Sequence, residues 1–284
     1  MIVGCGYLGR RVARRWLAGG AQVAAVARSA ARAAEFRGEG MEAIEADVAE
    51  PGTLAALPEC ETLVYAVGYD AKSGRSREAV QIEGLKSVLD ALAGRCDRVL
   101  FVSTTGVYAQ DDGGWVDETS PTEPETDGGR AALAAEAVLE AHPLGARSAV
   151  FRMAGLYGPG RVPRRESIVR GEPIATLANG YLNLIHADDA AAVLVLAAAA
   201  ADVRGVYCVA DGHPVVRRDY FAEVARLYGA PAPTFVEPPA DAVKRGRGGT
   251  SKRVSNRRLM DTLAPKLAYP TYREGLAASV AEEA

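Results

Sequence analysis

Three glycines stand at positions 4, 6 and 9 in the run GCGYLG, directly after the apolar residues Met1 to Val3 and at the head of an apolar-periodic segment from Leu8 to Leu17. Glycines at that spacing between a strand and a helix leave the chain few arrangements. Gly4 permits a tight turn, Gly6 lets a ligand approach the backbone, and Gly9 lets the helix pack closely on the strand. The helix start also offers unpaired N–H groups and the positive end of its dipole, so the pattern predicts a dinucleotide pyrophosphate held by Gly4, Gly6, Tyr7, Leu8 and Gly9. A glycine turn without a ligand fits the same letters; the place of the motif in the first strand-helix unit favours the ligand. Only three residues precede the glycines, which leaves open a start further upstream.

The rest of the first half repeats the alternation. Strand-like runs at Gln22 to Ala27, Glu42 to Ala46, Thr62 to Ala66, Arg98 to Ser103 and Ser148 to Met153 are separated by helical patterns, among them about Ser76 to Leu92 and Arg130 to Ala141. Such alternation predicts βαβ units and an α/β fold, a doubly wound parallel sheet of the Rossmann kind. After Gly155 the rhythm breaks into Gly/Pro-rich loops, LYGPGRVPRR and GAPAPTFVEPPA, with helices at Asp188 to Ala201, Asp219 to Tyr228 and Thr271 to Val280. The expected organisation is a dinucleotide-binding domain over residues 1–155 with a returning segment near 182–212, and a smaller C-terminal substrate lobe from 156–181 and 213–284.

Composition narrows the partners. The 33 Lys and Arg against 36 Asp and Glu give a net charge of −3, which offers no global attraction to nucleic acid or an anionic membrane, so a small molecule is the expected ligand. The longest apolar run, Ala190 to Ala201, has 12 residues and is too short to span a bilayer. No secretory signal pattern stands at the beginning, and the reading is a cytoplasmic protein. Cys5, Cys60, Cys96 and Cys208 are far apart and form no C-x-x-C, which argues against a metal site and a disulfide framework.

The end of the second strand bears on cofactor choice. It reads VAAVARSAAR, with no acid before Glu35 to accept from a ribose 2′-hydroxyl, while Arg28, Ser29 and Arg32 suit a 2′-phosphate. NADP is therefore expected over NAD, the alternative being that Arg28 and Arg32 are solvated surface charges. Asp47 and Val48 after the third strand fit beside the adenine, and Ala66, Val67 and Ser103 at the ends of the next two strands complete the expected cofactor contacts.

Taken together, GCGYLG, IEADV, IEGLKSVLDAL, VLFVSTTGVYA, FRMAGLYGPGR and NLIHADDAA resemble the extended short-chain dehydrogenase/reductase superfamily, the NAD(P)-dependent epimerases and dehydratases. The endings SKRVSNRRLMDTL and YPTYREGL are similar to its atypical YeeZ-type members. The resemblance covers most of the chain. It implies that Thr104 helps polarise a substrate carbonyl, that Tyr157 and Arg161 lie at the substrate cleft, and that a homodimer forms through helices near 76–92 and 130–141. His186, Asp188 and Asp189 resemble a family segment with a structural role.

One part of the family pattern is missing. Its general acid is a Tyr followed four residues later by a Lys on one helix face, the Lys lowering the phenol's pKa. Anchored on Glu136, the segment ETDGGRAALAAEAVLEA puts Ala132 where the Lys belongs and Gly128 where the Tyr belongs, and no Tyr occurs between Tyr108 and Tyr157. Three readings follow: an enzyme whose acid comes from elsewhere, with Thr104, Tyr108 and Tyr157 as candidates; a non-catalytic NADP(H)-binding sensor; or an enzyme whose substrate supplies the proton. The enzyme is favoured, with the substrate and reaction open. The basic tract from Lys244 to Arg258, including Arg253, is expected either to grip an anionic substrate, nucleotide-sugar or phosphorylated, or to be a solvated loop.

Overall fold

A computed structural model describes residues 1–238 and 250–283, and the chain divides into two units, each gathered from three stretches. Unit 1 comprises Met1–Thr104, Arg130–Arg152 and Ala191–Tyr207; unit 2 comprises Thr105–Gly129, Met153–Ala190 and Cys208–Ala284.

Unit 1 is organised by a parallel sheet of seven strands: β1 (Ile2–Val3), β2 (Ala24–Ala27), β3 (Glu42–Glu45), β4 (Cys60–Tyr65), β5 (Cys96–Thr104), β6 (Ala149–Met153) and β7 (Gly205–Val209). Their spatial order is β7-β6-β5-β4-β1-β2-β3, so the chain runs outward from β1 to one edge and then crosses back to build the other, the doubly wound plan. The pairings Ile2↔Ala25, Val3↔Tyr65, Ala27↔Glu45 and Tyr65↔Phe101 bring the carboxyl ends of β1 to β4 to one side, with β5 running on past them to Thr104. Both faces of such a sheet are covered, which is why β6 is buried at every position, Arg152 included.

Helix α1 (Tyr7–Ala18) buries Leu8, Gly9, Val12 and Ala13 along one stripe, and helix α2 (Ala30–Gly38) buries Ala33 and Phe36. The segment expected as one helix from Ser76 to Leu92 instead begins with a π-turn over Ala79–Glu83 and becomes α-helix only at α3 (Gly84–Ala91). The wider turn coincides with a close approach: a Cβ on Gly84 would lie 2.8 Å from a methyl carbon of Val48. Leu85, Val88 and Leu89 of α3 and Ala135 and Leu139 of helix α4 (Asp127–Ala141) join Leu63, Tyr65, Phe101 and Val150 in one core.

In unit 2 short strand pairs take the place of a large sheet: Leu184–His186 beside Gly155–Tyr157, Tyr181–Leu182 against Val215–Val216, Phe235–Val236 beside Ile174–Ala175, and Arg253–Val254 beside Trp115–Val116. Its apolar core joins Tyr157, Leu184, Tyr220, Phe221, Val224, Tyr272 and Leu276. No helix among the described residues is long and apolar enough to cross a membrane.

Candidate functional site

The glycine loop folds as three different solutions to local crowding. Gly4 has φ +93°, and a Cβ there would meet the Ala66 carbonyl carbon at 2.4 Å, so the end of β1 lies directly on the end of β4. On Gly9 a Cβ would sit 2.6 Å from the Gly4 oxygen, which sets how closely α1 packs. Around Gly6 nothing lies within 4 Å. Gly6 is also the N-cap of α1 and makes no side-chain hydrogen bond, so this open side lies at the positive end of the helix.

Beside it lies a cavity of about 230 Å³. Of the residues expected to contact a cofactor, Gly4, Gly6, Arg28, Arg32, Asp47, Val48, Ala66 and Val67 line it together. Apolar Val26, Phe36 and Val80 also line it, as do Asp70, Ser73 and Arg75, which motif reasoning passed over. Their only sequence signal is the charged, glycine-containing loop DAKSGRS after β4.

The charges in the cavity are not equivalent. Arg32 Nη1 is 2.7 Å from Glu35 Oε2, which Arg10 Nη2 also reaches at 2.9 Å, and these hydrogen bonds hold the Glu35 carboxyl below its usual range. Arg28 has no carboxylate partner among the described residues, so its charge remains available to an anion. The Ser29 hydroxyl caps α2 by accepting the Arg32 N–H at 3.3 Å. Asp47 Oδ1 accepts the Ala49 N–H at 2.9 Å, which fixes its carboxylate.

At the end of β5, Ser103 does not line this cavity. Its hydroxyl donates to Glu136 on α4, and Glu136 in turn accepts from Arg152 on β6, Nε at 3.1 and 3.2 Å and Nη2 at 2.7 Å. All three side chains are buried. The acid that anchors the family register is therefore the centre of an ion pair inside unit 1, with Ala132 also buried on the same helix. The amino end of α4 sits as close to its surroundings: a Cβ on Gly129 would lie 2.3 Å from the Gly106 oxygen.

In unit 2, the Tyr108 ring is buried with its hydroxyl 3.2 Å from Cys208 Sγ. Tyr157 is buried too; its phenol donates to the Thr271 carbonyl at 3.4 Å, and burial raises its pKa well above the usual value. Arg161 closes a reverse turn with Gly158 and is exposed. Arg253 Nε donates to the Gly113 carbonyl at 2.8 Å, and its guanidinium lies 5.1 Å from the Trp115 ring and 5.3 Å from that of Tyr181. Next to it Lys252, unremarked in the motif, is buried; its amine donates to the Tyr108 carbonyl at 2.8 Å, and burial together with Arg217 brings it down to about 8. Residues 244–249 of the basic tract lie outside the described residues. Among the described residues no three His, Cys, Asp or Glu gather to hold a metal ion.

Comparison with known proteins agrees with this architecture. The chain is 30% identical over 276 residues to Protein YeeZ of Escherichia coli K12, with 95% of each chain covered. A functionally unknown conserved protein from Silicibacter pomeroyi superposes with TM-score 0.80 at 31% identity, over 99% of this chain and 98% of that one. The dTDP-glucose 4,6-dehydratase of Streptomyces venezuelae, solved with NAD and TYD bound, has TM-score 0.82 over 99% of this chain and 95% of its own, but at 20% identity it shares the fold alone. A model of the NAD dependent epimerase/dehydratase family matches residues 1–210, and with most of its length accounted for in this way the chain belongs to that family.

Proposed function

We propose that the chain is an NADP-preferring oxidoreductase of the epimerase/dehydratase type, acting on a small carbonyl or hydroxyl substrate such as a nucleotide sugar or a phosphorylated compound. The observation that carries the reading is the cavity of unit 1, which joins the open side of Gly6 to an unneutralised Arg28. Those residues fit a dinucleotide: the Gly6 cradle, which a larger side chain would fill, and the first turn of α1 suit a pyrophosphate, and Arg28 with Arg32 suits a 2′-phosphate. Bound there, NADP(H) would supply hydride transfer. Asp47 and Val48 would hold the adenine edge, and Ala66 and Val67 would lie along the ribose and phosphates. Residues 156–181 and 213–284 are proposed as the substrate lobe, with Arg161 and Arg253 as contacts to an anionic group. Thr104, Tyr108 and Tyr157 are the proposed proton-handling groups. A cytoplasmic homodimer belongs to the same proposal.

A second reading, a nucleotide-binding sensor without turnover, has one observation in its favour. The two positions where the family keeps its Tyr and Lys carry Gly128 and Ala132, on a helix whose amino end has no room for a side chain at Gly129.

Calorimetric titration of the purified protein with NADPH, NADP, NADH and NAD tests the cofactor. NADPH is expected to bind most tightly, and Arg28→Ala to weaken it by about 10- to 100-fold, the worth of one charge-assisted hydrogen bond, with NADH changed less than about threefold. Binding of none of the four nucleotides would remove both readings. Equal loss of NADPH and NADH in the variant would remove the NADP preference.

A further inference from the structure

The cavity in unit 1 is also lined by Arg75, a half-exposed residue that has no part in the glycine motif or in the second-strand signature. It belongs to the loop that follows β4, and that loop is held by its own bonds. Asp70 Oδ1 accepts the Lys72 N–H at 2.9 Å, the Ser73 hydroxyl donates to the Asp70 carbonyl at 2.7 Å, and the Tyr69 hydroxyl donates to the Arg75 carbonyl at 3.3 Å. From there the Arg75 guanidinium reaches to the loop after β3. Its Nη2 pairs with Glu50 Oε1 and stands 3.8 Å from Asp47 Oδ2. The side chain is 42% exposed, so an ion pair of this kind contributes little to stability and does not by itself account for a planar cation at the cavity's edge.

The surroundings indicate what the cation is for. The cavity's inner wall is apolar, with Val26, Val48 and Val80, while Arg75 presents a flat, weakly hydrated guanidinium. A lining that combines aliphatic side chains with a guanidinium suits a flat heteroaromatic ring, since guanidinium groups stack on aromatic faces. Charge separates Arg75 from Arg28. Glu50 and Asp47 neutralise Arg75, whereas Arg28 has no carboxylate partner among the described residues; an anionic phosphate is drawn to Arg28, and a neutral ring loses nothing against Arg75.

We propose that Arg75, held by Glu50 and Asp47, is the adenine clamp of this cavity, covering the outer face of the base. The clamp rests on the dinucleotide reading above and adds to it a residue that acts on the base, indifferent to the 2′-phosphate. It is tested by titrating wild type, Arg75→Ala and Arg75→Lys with NADPH, NADH and reduced nicotinamide mononucleotide, which lacks the adenosine half. Arg75→Ala is expected to raise the Kd of NADPH and NADH by the same factor, about tenfold, with binding of the mononucleotide unchanged. Arg75→Lys, which keeps the charge and loses the plane, is expected to recover less than half of that loss. If Arg75→Ala leaves both dinucleotides within twofold of wild type, or weakens NADPH alone as a phosphate ligand would, the clamp is refuted while the dinucleotide site stands. If wild type binds neither dinucleotide, the cofactor reading itself falls, and the two failures are told apart.

Discussion

Replacing Glu136 by alanine is expected to destabilise the protein by about 3–5 kcal/mol, the cost of leaving one partner of a buried ion pair behind. Glu136 and Arg152 are 7% and 6% exposed. The carboxylate accepts three contacts from Arg152 between 2.7 and 3.2 Å and one from the Ser103 hydroxyl, which ties α4 to both β5 and β6. Without it the guanidinium stays charged, because arginine does not release its proton in any accessible pH range. Urea denaturation monitored by circular dichroism measures the loss. The pair replacement Glu136→Met with Arg152→Met is expected to regain most of it, since two apolar side chains of similar volume leave no stranded charge. A single variant within about 1 kcal/mol of wild type would show the pair to be solvated after all.

The second large effect depends on pH. Burial pushes the Asp211 carboxyl up to about 7, with Asp189 adding to the rise and the His213 N–H, which donates to Asp211 Oδ1 at 2.8 Å, opposing it. The other carboxylate oxygen is buried without a hydrogen-bond partner among the described residues. In the unfolded chain the same group titrates near 3.9. Between the two values the folded protein holds a proton that the unfolded chain has released, so the contribution of this group to stability is greatest at low pH and is lost as pH rises towards about 7. The full span of that linkage is about 4 kcal/mol. Above about pH 8 both states are ionised and the whole cost is present. Asp211→Asn removes the charge and keeps the shape. It is expected to raise the melting temperature at pH 8 and to flatten the profile between about pH 4 and 7. Parallel profiles for the two proteins would show that this carboxyl does not carry the dependence.

The parts of this structure that could be read in advance are the ones encoded locally. GCGYLG states its turn, its close packing and its open side in six letters, and apolar runs alternating with amphipathic ones gave the order of the first strands and helices. Features that depend on distant neighbours were not legible. Strand β7 is a short segment, GVYCV, directly after an alanine-rich helix; it falls in the stretch near 182–212 that was expected to return, but nothing in its letters marks these five residues as the strand that pairs beside β6. The π-turn at Ala79–Glu83 carries an ordinary helical pattern; what accompanies it is the approach of Gly84 to Val48, far off in sequence. Helix α4 starts at Asp127, ahead of the expected Arg130, because the Thr126 hydroxyl accepts the Gly129 N–H at 3.0 Å and the glycines, poor helix formers, are required by the contact with Gly106. In the candidate site the same division holds. Arg28, Arg32 and Asp47 stand next to strand ends and were visible, while Arg75 finds its partner Glu50 at a separation of 25 residues. Glu136 served in the sequence only to anchor the register of its helix, and only the fold brings Arg152 to it.

The layout of unit 1 has a bearing on how the protein is made. The strand that covers the outer edge of β6 is Gly205–Val209, and 51 residues separate Met153, the last of β6, from Gly205. At roughly 5–20 residues per second, a ribosome takes about 3–10 s to deliver that stretch. Throughout this interval Ala149–Met153, which the finished protein buries at every position, stands in the nascent chain as an edge with unpaired backbone groups. The protein is therefore most open to mispairing with other chains during its own synthesis, and a chaperone that shields nascent segments has most to offer while residues 154–204 are being translated.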